Sequence, residues 1–193
     1  MAASSFRKNI LSFMASPRSA AAVILVRETP DIEVFWVRRA PQMMFQGGFY
    51  AFPGGQLDPT EDAKVCAARE LFEEVGIRID PAGLVDVGRW VTPAFAPRRF
   101  DTCFFLAKCP ASEEPRVMTD EHDIGEWIRP ADAVAKWTEG QILTAPPVLH
   151  ALRCLSAGLN NVEARMKAVP WANGETIPEI EMRPGIVMVP LRT

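Results

Sequence analysis

The segment from Asp58 to Gly76 is punctuated as a helix at both ends, and strand-like runs lie on either side of it. Asp58 is a residue type that accepts hydrogen bonds from the free amides of a first helical turn. Pro59 suits the first helical position, and Glu61 falls where a capping glutamate reaches back. Gly76 stands where a left-handed residue closes a helix. A chain that sets one amphipathic helix among short β-type runs has to bury that helix against a sheet. The expected class is therefore mixed α/β.

The flanking order is read from periodicity and turn residues. Ser19 to Arg27 is a short apolar run rich in Val and Ile, and Glu33 to Arg38 is a second strand. Thr29-Pro30-Asp31 between them is a turn, which makes the two a hairpin. A loop with Pro41, Gly47 and Gly48 leads to the aromatic stretch Phe49-Tyr50-Ala51-Phe52, which Pro53-Gly54-Gly55 breaks. After the marked helix, Leu84 to Val91 and Phe100 to Ala107 read as strands, with Pro93 to Arg98 as the loop between them. Glu126-Trp127-Ile128 reads as a short strand, and Pro130 to Trp137 and Pro146 to Ala157 as helices. The organisation expected is a lead-in over residues 1–18, one domain over 19–160 and a C-terminal extension over 161–193. In that extension Val162 to Ala168 is helix-like, Glu175 to Pro184 irregular and Ile186 to Leu191 strand-like. It is either an added strand or the start of a further domain.

Composition narrows the function classes. Apolar residues make up 48% and charged residues 23%, enough to bury a core, and the net charge of −3 gives no electrostatic reason for duplex nucleic acid or an anionic membrane as partner. The longest apolar run, Ala20 to Val26, is far short of the roughly 20 residues that span a bilayer. Acidic residues are absent before Glu28, while Arg7, Lys8 and Arg18 precede it. This start reads as a lead-in to the first strand, with an organelle transit segment as the alternative. Cys66, Cys103, Cys109 and Cys154 form no C-x-x-C pair and the histidines are His122 and His150, so neither zinc spacing nor a disulfide framework is expected. A cytoplasmic setting is the default.

Chemistry concentrates on the marked helix. At about 100° per residue, with Glu70 at 0°, Glu74 falls near 40° and Glu73 near 300°. Val65, Ala68, Leu71, Phe72 and Val75 fall between about 100° and 220°. The apolar arc is expected to pack on the sheet and the three carboxylates to share the outward arc. Like charges at i,i+4 destabilise a helix by a few tenths of a kcal/mol, roughly, so Glu70 and Glu74 call for a cation that Arg69 supplies only in part. Magnesium fits, since it takes carboxylate oxygens and water and shares its shell with substrate phosphates.

Gly55, Glu61, Arg69, Glu70, Leu71, Glu73, Glu74, Gly76 and Ile77 match the spacing G-x5-E-x7-R-E-U-x-E-E-x-G-U, U being aliphatic, with no gap or substitution. In this the chain resembles the Nudix hydrolases. A random window would match the invariant positions with a probability on the order of 10⁻⁸, so coincidence is not a useful explanation. The resemblance implies an α/β/α sandwich with a mixed central sheet and Mg²⁺-dependent hydrolysis, Mn²⁺ being the alternative ion. It implies as substrate a small nucleoside diphosphate linked to another moiety. By position, Glu70 and Glu74 are implied as principal metal ligands, Glu73 as a further ligand, and Arg69 and Glu61 as orienting or structural residues. Gly54 and Gly55 are implied to let the loop approach the phosphates. The general base is either Glu70 or Glu121, the latter in the acidic loop Asp120-Glu121-His122-Asp123, where His122 is expected at the surface.

Cations that could meet phosphate oxygens are the pairs Arg38-Arg39 and Arg98-Arg99 at strand ends, with Arg38 and Arg99 taken as substrate-binding candidates. Phe45, Tyr50, Phe52 and Phe100 could stack on a base, and Tyr50 ranks first. The stretch Arg38-Arg39-Ala40-Pro41 through Phe52-Pro53-Gly54-Gly55 resembles the coenzyme A diphosphatase branch but lacks the full leader motif of other coenzyme A hydrolases. ADP-ribose and dinucleotides therefore stay open as substrates. So do a nucleoside triphosphate pyrophosphatase, a non-cleaving nucleotide-binding module and a homodimer. Arg183 to Leu191 resembles the opening strand of a metallo-β-lactamase-type domain, yet no H-x-H-x-D motif is present.

Overall fold

A computed structural model describes residues 16–28, 30–92, 96, 98–159, 180–183 and 186–190 of the 193, the last two segments as backbone alone. Its strands are β1 (Arg18–Glu28), β2 (Ile32–Arg39), β3 (Phe49–Ala51), β4 (Gly54–Gln56), β5 (Val85–Val91), β6 (Phe100–Lys108), β7 (His122–Ile128) and β8 (Leu143–Thr144). Helices are α1 (Ala63–Val75), α2 (Pro130–Thr138) and α3 (Pro146–Ser156). The expected helix-like segment Val162 to Ala168 and the lead-in before residue 16 lie outside the described residues. Ile186–Pro190 is a strand, as its Val- and Ile-rich run predicts, and pairs with Ile180–Arg183 in a separate two-stranded sheet.

The eight-stranded sheet is mixed: β1 runs parallel to β6 and antiparallel to β2. Between β1 and β2 the sheet forks. Leu25 to Glu28 pair with β2, but Ala20 to Ala22 pair instead with β4, and Val37 and Arg38 of β2 pair with β3. The segment carrying β3 and β4 fills the fork, fixed also by the Val23 amide donating to the Pro53 carbonyl at 2.8 Å. Sequence reading missed β4 and β8, because each spans only two or three residues, and Gly54-Gly55 reads as a break.

Alternation along β1 and β2 serves two cores, as a sheet covered on both faces requires. Ala21, Val23, Leu25, Phe35 and Val37 face α1 with Cys66, Ala67, Leu71 and Val75. Ala22, Ile24, Val26, Val34 and Trp36 face the other side, with Ala133 of α2 and Val148, Ala151, Leu152 and Leu155 of α3. This is the α/β/α arrangement expected.

Two expectations for α1 are corrected. Its N-cap is Asp62, not Asp58: Asp62 accepts from the Lys64 amide at 2.8 Å. Thr60 takes a left-handed φ of 72°, so Asp58 to Glu61 form a separate turn and the helix starts after it. The C-cap is as expected, Gly76 at φ 77° donating to the Phe72 carbonyl at 2.9 Å. The second correction concerns the faces. Cys66, Ala67, Leu71, Glu74 and Val75 are buried, whereas Val65 and Phe72 are exposed. With Glu70 at 0°, Cys66 stands at about 320° and Val75 at about 140°, so the buried arc runs through Glu70 and Glu74. Phe72 instead lies beneath the Arg78 guanidinium, 3.6 Å from the ring centroid.

Candidate functional site

Arg69 organises the carboxylates of α1. Its Nε and Nη2 donate to the two oxygens of Glu61 at 2.9 and 3.0 Å, and its Nη1 donates to Glu70 Oε1 at 2.8 Å and Glu73 Oε2 at 3.2 Å. Glu61 also accepts from the Asp58 amide at 3.0 Å. The Arg69 fork and this amide bring the Glu61 carboxyl down to about 2, while Arg69 itself is raised by the same bonds. Glu61 therefore belongs to the turn before the helix and locks Arg69. Cys66, beneath Arg69, is driven up to about 12 by burial first and by the Glu61 and Glu70 charges next, so it is no nucleophile.

Glu70 is mostly buried and its carboxyl is raised by that burial, with Arg69 opposing. Glu74 is more deeply set, its side chain 9% exposed. One oxygen accepts from the Gly54 amide at 3.0 Å. Burial pushes its carboxyl up to about 8, the Gly54 amide opposes, and the Glu70 and Glu121 charges add to the rise. Glu73 points outward, more than half exposed. The backbone of β4 passes directly over these groups: a Cβ on Gly55 would lie 2.4 Å from the Glu70 carboxyl, and one on Gly54 would lie 2.3 Å from the Ala21 carbonyl oxygen. Only glycine leaves both approaches open.

Loop and strand residues complete the site. A bulge in the β2–β7 ladder pairs Arg38 with Ile124 but Arg39 with His122. His122 is thereby turned inward, its side chain 2% exposed, with Nε2 3.8 Å from Glu74 Oε1 and Nδ1 without a partner. The expectation of a surface histidine is corrected by this bulge. Burial, then the Arg39 charge, lowers the imidazole to about 4. At neutral pH, with Glu74 protonated and His122 neutral, the contact is not an ion pair. Glu121 is 58% exposed, with its carboxylate 3.6 Å from Arg39 Nη2. Arg39 also donates to the Phe45 carbonyl at 3.2 Å, tying the Pro41–Gly48 loop to the site.

The other sequence candidates lie elsewhere. Arg38 forms a two-pronged pair with Asp123, at 2.9 and 2.6 Å, which raises the guanidinium and lowers the carboxylate. Tyr50 is paired with it across β2 and β3, and its ring lies 4.3 Å from that of Trp36. Both are on the sheet face opposite α1, since Trp36 belongs to the core of α2 and α3. Arg99 donates to the Thr92 carbonyl at 3.0 Å and Arg98 lies over the Phe45 ring at 5.4 Å, with Phe45 5.7 Å from Phe100. The structure thus joins Glu61, Arg69, Glu70, Glu73, Glu74, Gly54, Gly55 and Glu121, and adds Arg39 and His122. Arg38 and Tyr50 form a second cluster across the sheet.

A family model described as NUDIX domain matches residues 16–146. The chain is 28% identical to the Caenorhabditis elegans protein designated nudix hydrolase 7, over 72% of this chain and 60% of that one. It is 35% identical to the 8-oxo-dGTP diphosphatase of Proteus vulgaris over 37% of this chain and 61% of that one. The chain therefore spans about three-fifths of the length of these two relatives. Among solved structures, a NUDIX hydrolase from Alicyclobacillus acidocaldarius shares the fold with a TM-score of 0.72 at 28% identity, covering 81% of this chain and 100% of that one.

Proposed function

The chain belongs to the Nudix family, and on that premise we propose that it hydrolyses the phosphoric anhydride bond of a nucleoside diphosphate linked to another moiety, with Mg²⁺ as cofactor. The observation that carries this reading is the pair Glu70, partly buried, and Glu74, buried, one turn apart beneath the side-chain-free backbone of Gly54 and Gly55. Two carboxylates held largely out of water are costly unless a cation joins them, and burial, with the Glu70 and Glu121 charges adding to it, raises the Glu74 carboxyl. The donors are all oxygens, as a hard cation requires. Among the described residues no three carboxylate, imidazole or thiol groups converge into a cage. Oxygen donors suit Mg²⁺, which keeps waters and completes its shell with substrate phosphates.

Glu70 and Glu74 would hold the ion, with Glu73 at the outer edge. When bound, a divalent cation neutralises the diphosphate oxygens and acidifies water. The chain's own residues do the rest. Arg69 keeps Glu70 oriented, and the Gly54 amide fixes one oxygen of Glu74. Gly55, having no side chain, lets the Glu70 carboxyl lie against the β4 backbone. Arg39, which pairs with Glu121 and whose charge acts on Glu74, is proposed to meet the phosphate oxygens. The water proton goes to Glu70 or to Glu121, both of which reach this site and neither of which is tied up by two donors. Across the sheet, Arg38 and Tyr50 are proposed to meet the nucleoside or leaving group, and Arg99 to act at the rim. Coenzyme A, ADP-ribose and dinucleotide types all satisfy these requirements.

The test is a panel of these diphosphates with Mg²⁺, using the intact protein and Glu74→Gln. Cleavage by the intact protein, lost by about 10²-fold or more in the variant, is expected. Cleavage of nothing in the panel would favour a non-cleaving binding module. Products formed in heavy-oxygen water identify the phosphorus attacked.

A further inference from the structure

We propose that His122 is a positioning residue for Glu74: its imidazole holds the second carboxylate oxygen in place when Mg²⁺ is bound. This rests on the metal role given to Glu74 above. Glu74 is bracketed from two strands. Oε2 accepts from the Gly54 amide of β4 at 3.0 Å, while Oε1 faces His122 Nε2 of β7 at 3.8 Å. That second gap exceeds hydrogen-bond length by a little under 1 Å, roughly, so a small rotation of either side chain makes an Nε2–H···Oε1 bond. The sheet places the imidazole there deliberately in a structural sense. The bulge between Arg38 and Arg39 shifts the β7 register so that His122, rather than Asp123, faces α1, and Asp123 goes to Arg38 on the far face.

Stability alone does not explain a histidine at this place. The ring is 2% exposed and Nδ1 has no partner, and a buried polar atom without one lowers stability. An apolar side chain of similar volume would fill the space without that cost. What the imidazole adds is a directed N–H beside a carboxylate oxygen, and groups of this kind orient metal ligands from the second layer. Their removal typically weakens metal binding by about 10–100-fold.

The experiment is calorimetric titration of the intact chain with MgCl₂ alone, on the wild type, His122→Leu and His122→Gln, with metal-free melting temperatures alongside. His122→Leu is expected to bind Mg²⁺ at least about tenfold more weakly while melting at or above the wild-type temperature. His122→Gln, whose amide N–H can take the place of Nε2–H, is expected to stay within about threefold of wild-type affinity, a window narrower than the second-layer effect itself. Wild-type affinity in His122→Leu would overturn the inference, as would equal weakening in both variants. Failure of His122→Leu to fold would also overturn it, because the imidazole would then be holding the strand rather than the carboxylate. If the wild type itself takes up no Mg²⁺, it is the metal reading of Glu74 that fails.

Discussion

Gly55 lies so close to the Glu70 carboxyl that a Cβ on it would come within 2.4 Å of both the carboxyl carbon and one oxygen. The obstructing atoms are the end of a flexible side chain, so Gly55→Ala is expected to displace the Glu70 carboxylate and leave the fold standing. Gly54 differs: a Cβ there meets the Ala21 carbonyl at 2.3 Å and the Ala22 Cα at 2.6 Å, atoms of the central strand. Gly55→Ala should lose roughly 10²-fold in kcat with a nearly unchanged melting temperature. Gly54→Ala should lose stability by roughly 2 kcal/mol, as overpacking does. Equal melting temperatures for the two variants would contradict this division.

Glu74 makes the metal-free protein sensitive to alkali. Its carboxyl is raised to about 8, against an ordinary value of 4.5, so between those pH values the folded chain keeps a proton that the unfolded chain has lost. Stability without metal must then fall as pH rises through this window. Mg²⁺ needs the ionised carboxylate, so its affinity should climb over the same range and its binding should release a proton. In EDTA, Glu74→Gln should flatten the pH dependence and raise Tm at pH 8 by roughly 3 °C, the equivalent of about 1 kcal/mol in a chain of this size. Parallel melting curves for variant and wild type from pH 5 to 8 would sink the assignment.

Arg69 bridges Glu61, Glu70 and Glu73 through a planar fork that lysine cannot copy. Arg69→Lys should cost about 2 kcal/mol in urea unfolding at pH 7, in line with lost charged hydrogen bonds. The Glu61 carboxyl is held down at about 2, so its contribution is complete above 4.5 and disappears as pH falls toward 2. The gap between variant and wild type should therefore narrow by pH 3. A gap of the same size at pH 3 and pH 7 would mean that the fork is not what Arg69 contributes.

The limits of sequence reading are physical. Helix α1, its Gly76 cap and the β1–β2 hairpin were legible because each is set by local chemistry: periodicity, a left-handed glycine, a turn. The start of α1 was misplaced, since Asp58-Pro59 has the composition of a cap and only the left-handed Thr60 shows the chain turning first. Asp62→Ala should cost about 1 kcal/mol and Asp58→Ala much less, as measured by thermal unfolding. The face of α1 was misread because Phe72 and Val65 are apolar by type, while Glu74 is buried by the strand that crosses over it. His122 was illegible for the same reason, since a bulge in strand pairing is a tertiary event.

Arg38 and Arg39 bring that limit to a measurable contrast. Adjacent in sequence, they point to opposite faces of β2, as successive strand residues do. Arg39 faces α1, pairs with Glu121 and reaches the Phe45 carbonyl, whereas Arg38 is clamped by Asp123 beside Tyr50 and Trp36. In the proposed reaction phosphate charge develops beside Glu70 and Glu74, so removing Arg39 should act on the chemical step and removing Arg38 on the grip of the remote moiety. Arg39→Ala is expected to lower kcat by about 10²-fold at saturating substrate, with KM little changed. Arg38→Ala should raise KM by roughly tenfold and leave kcat within about threefold. If steady-state kinetics place both losses in the same parameter, the two faces do not serve separate parts of the substrate.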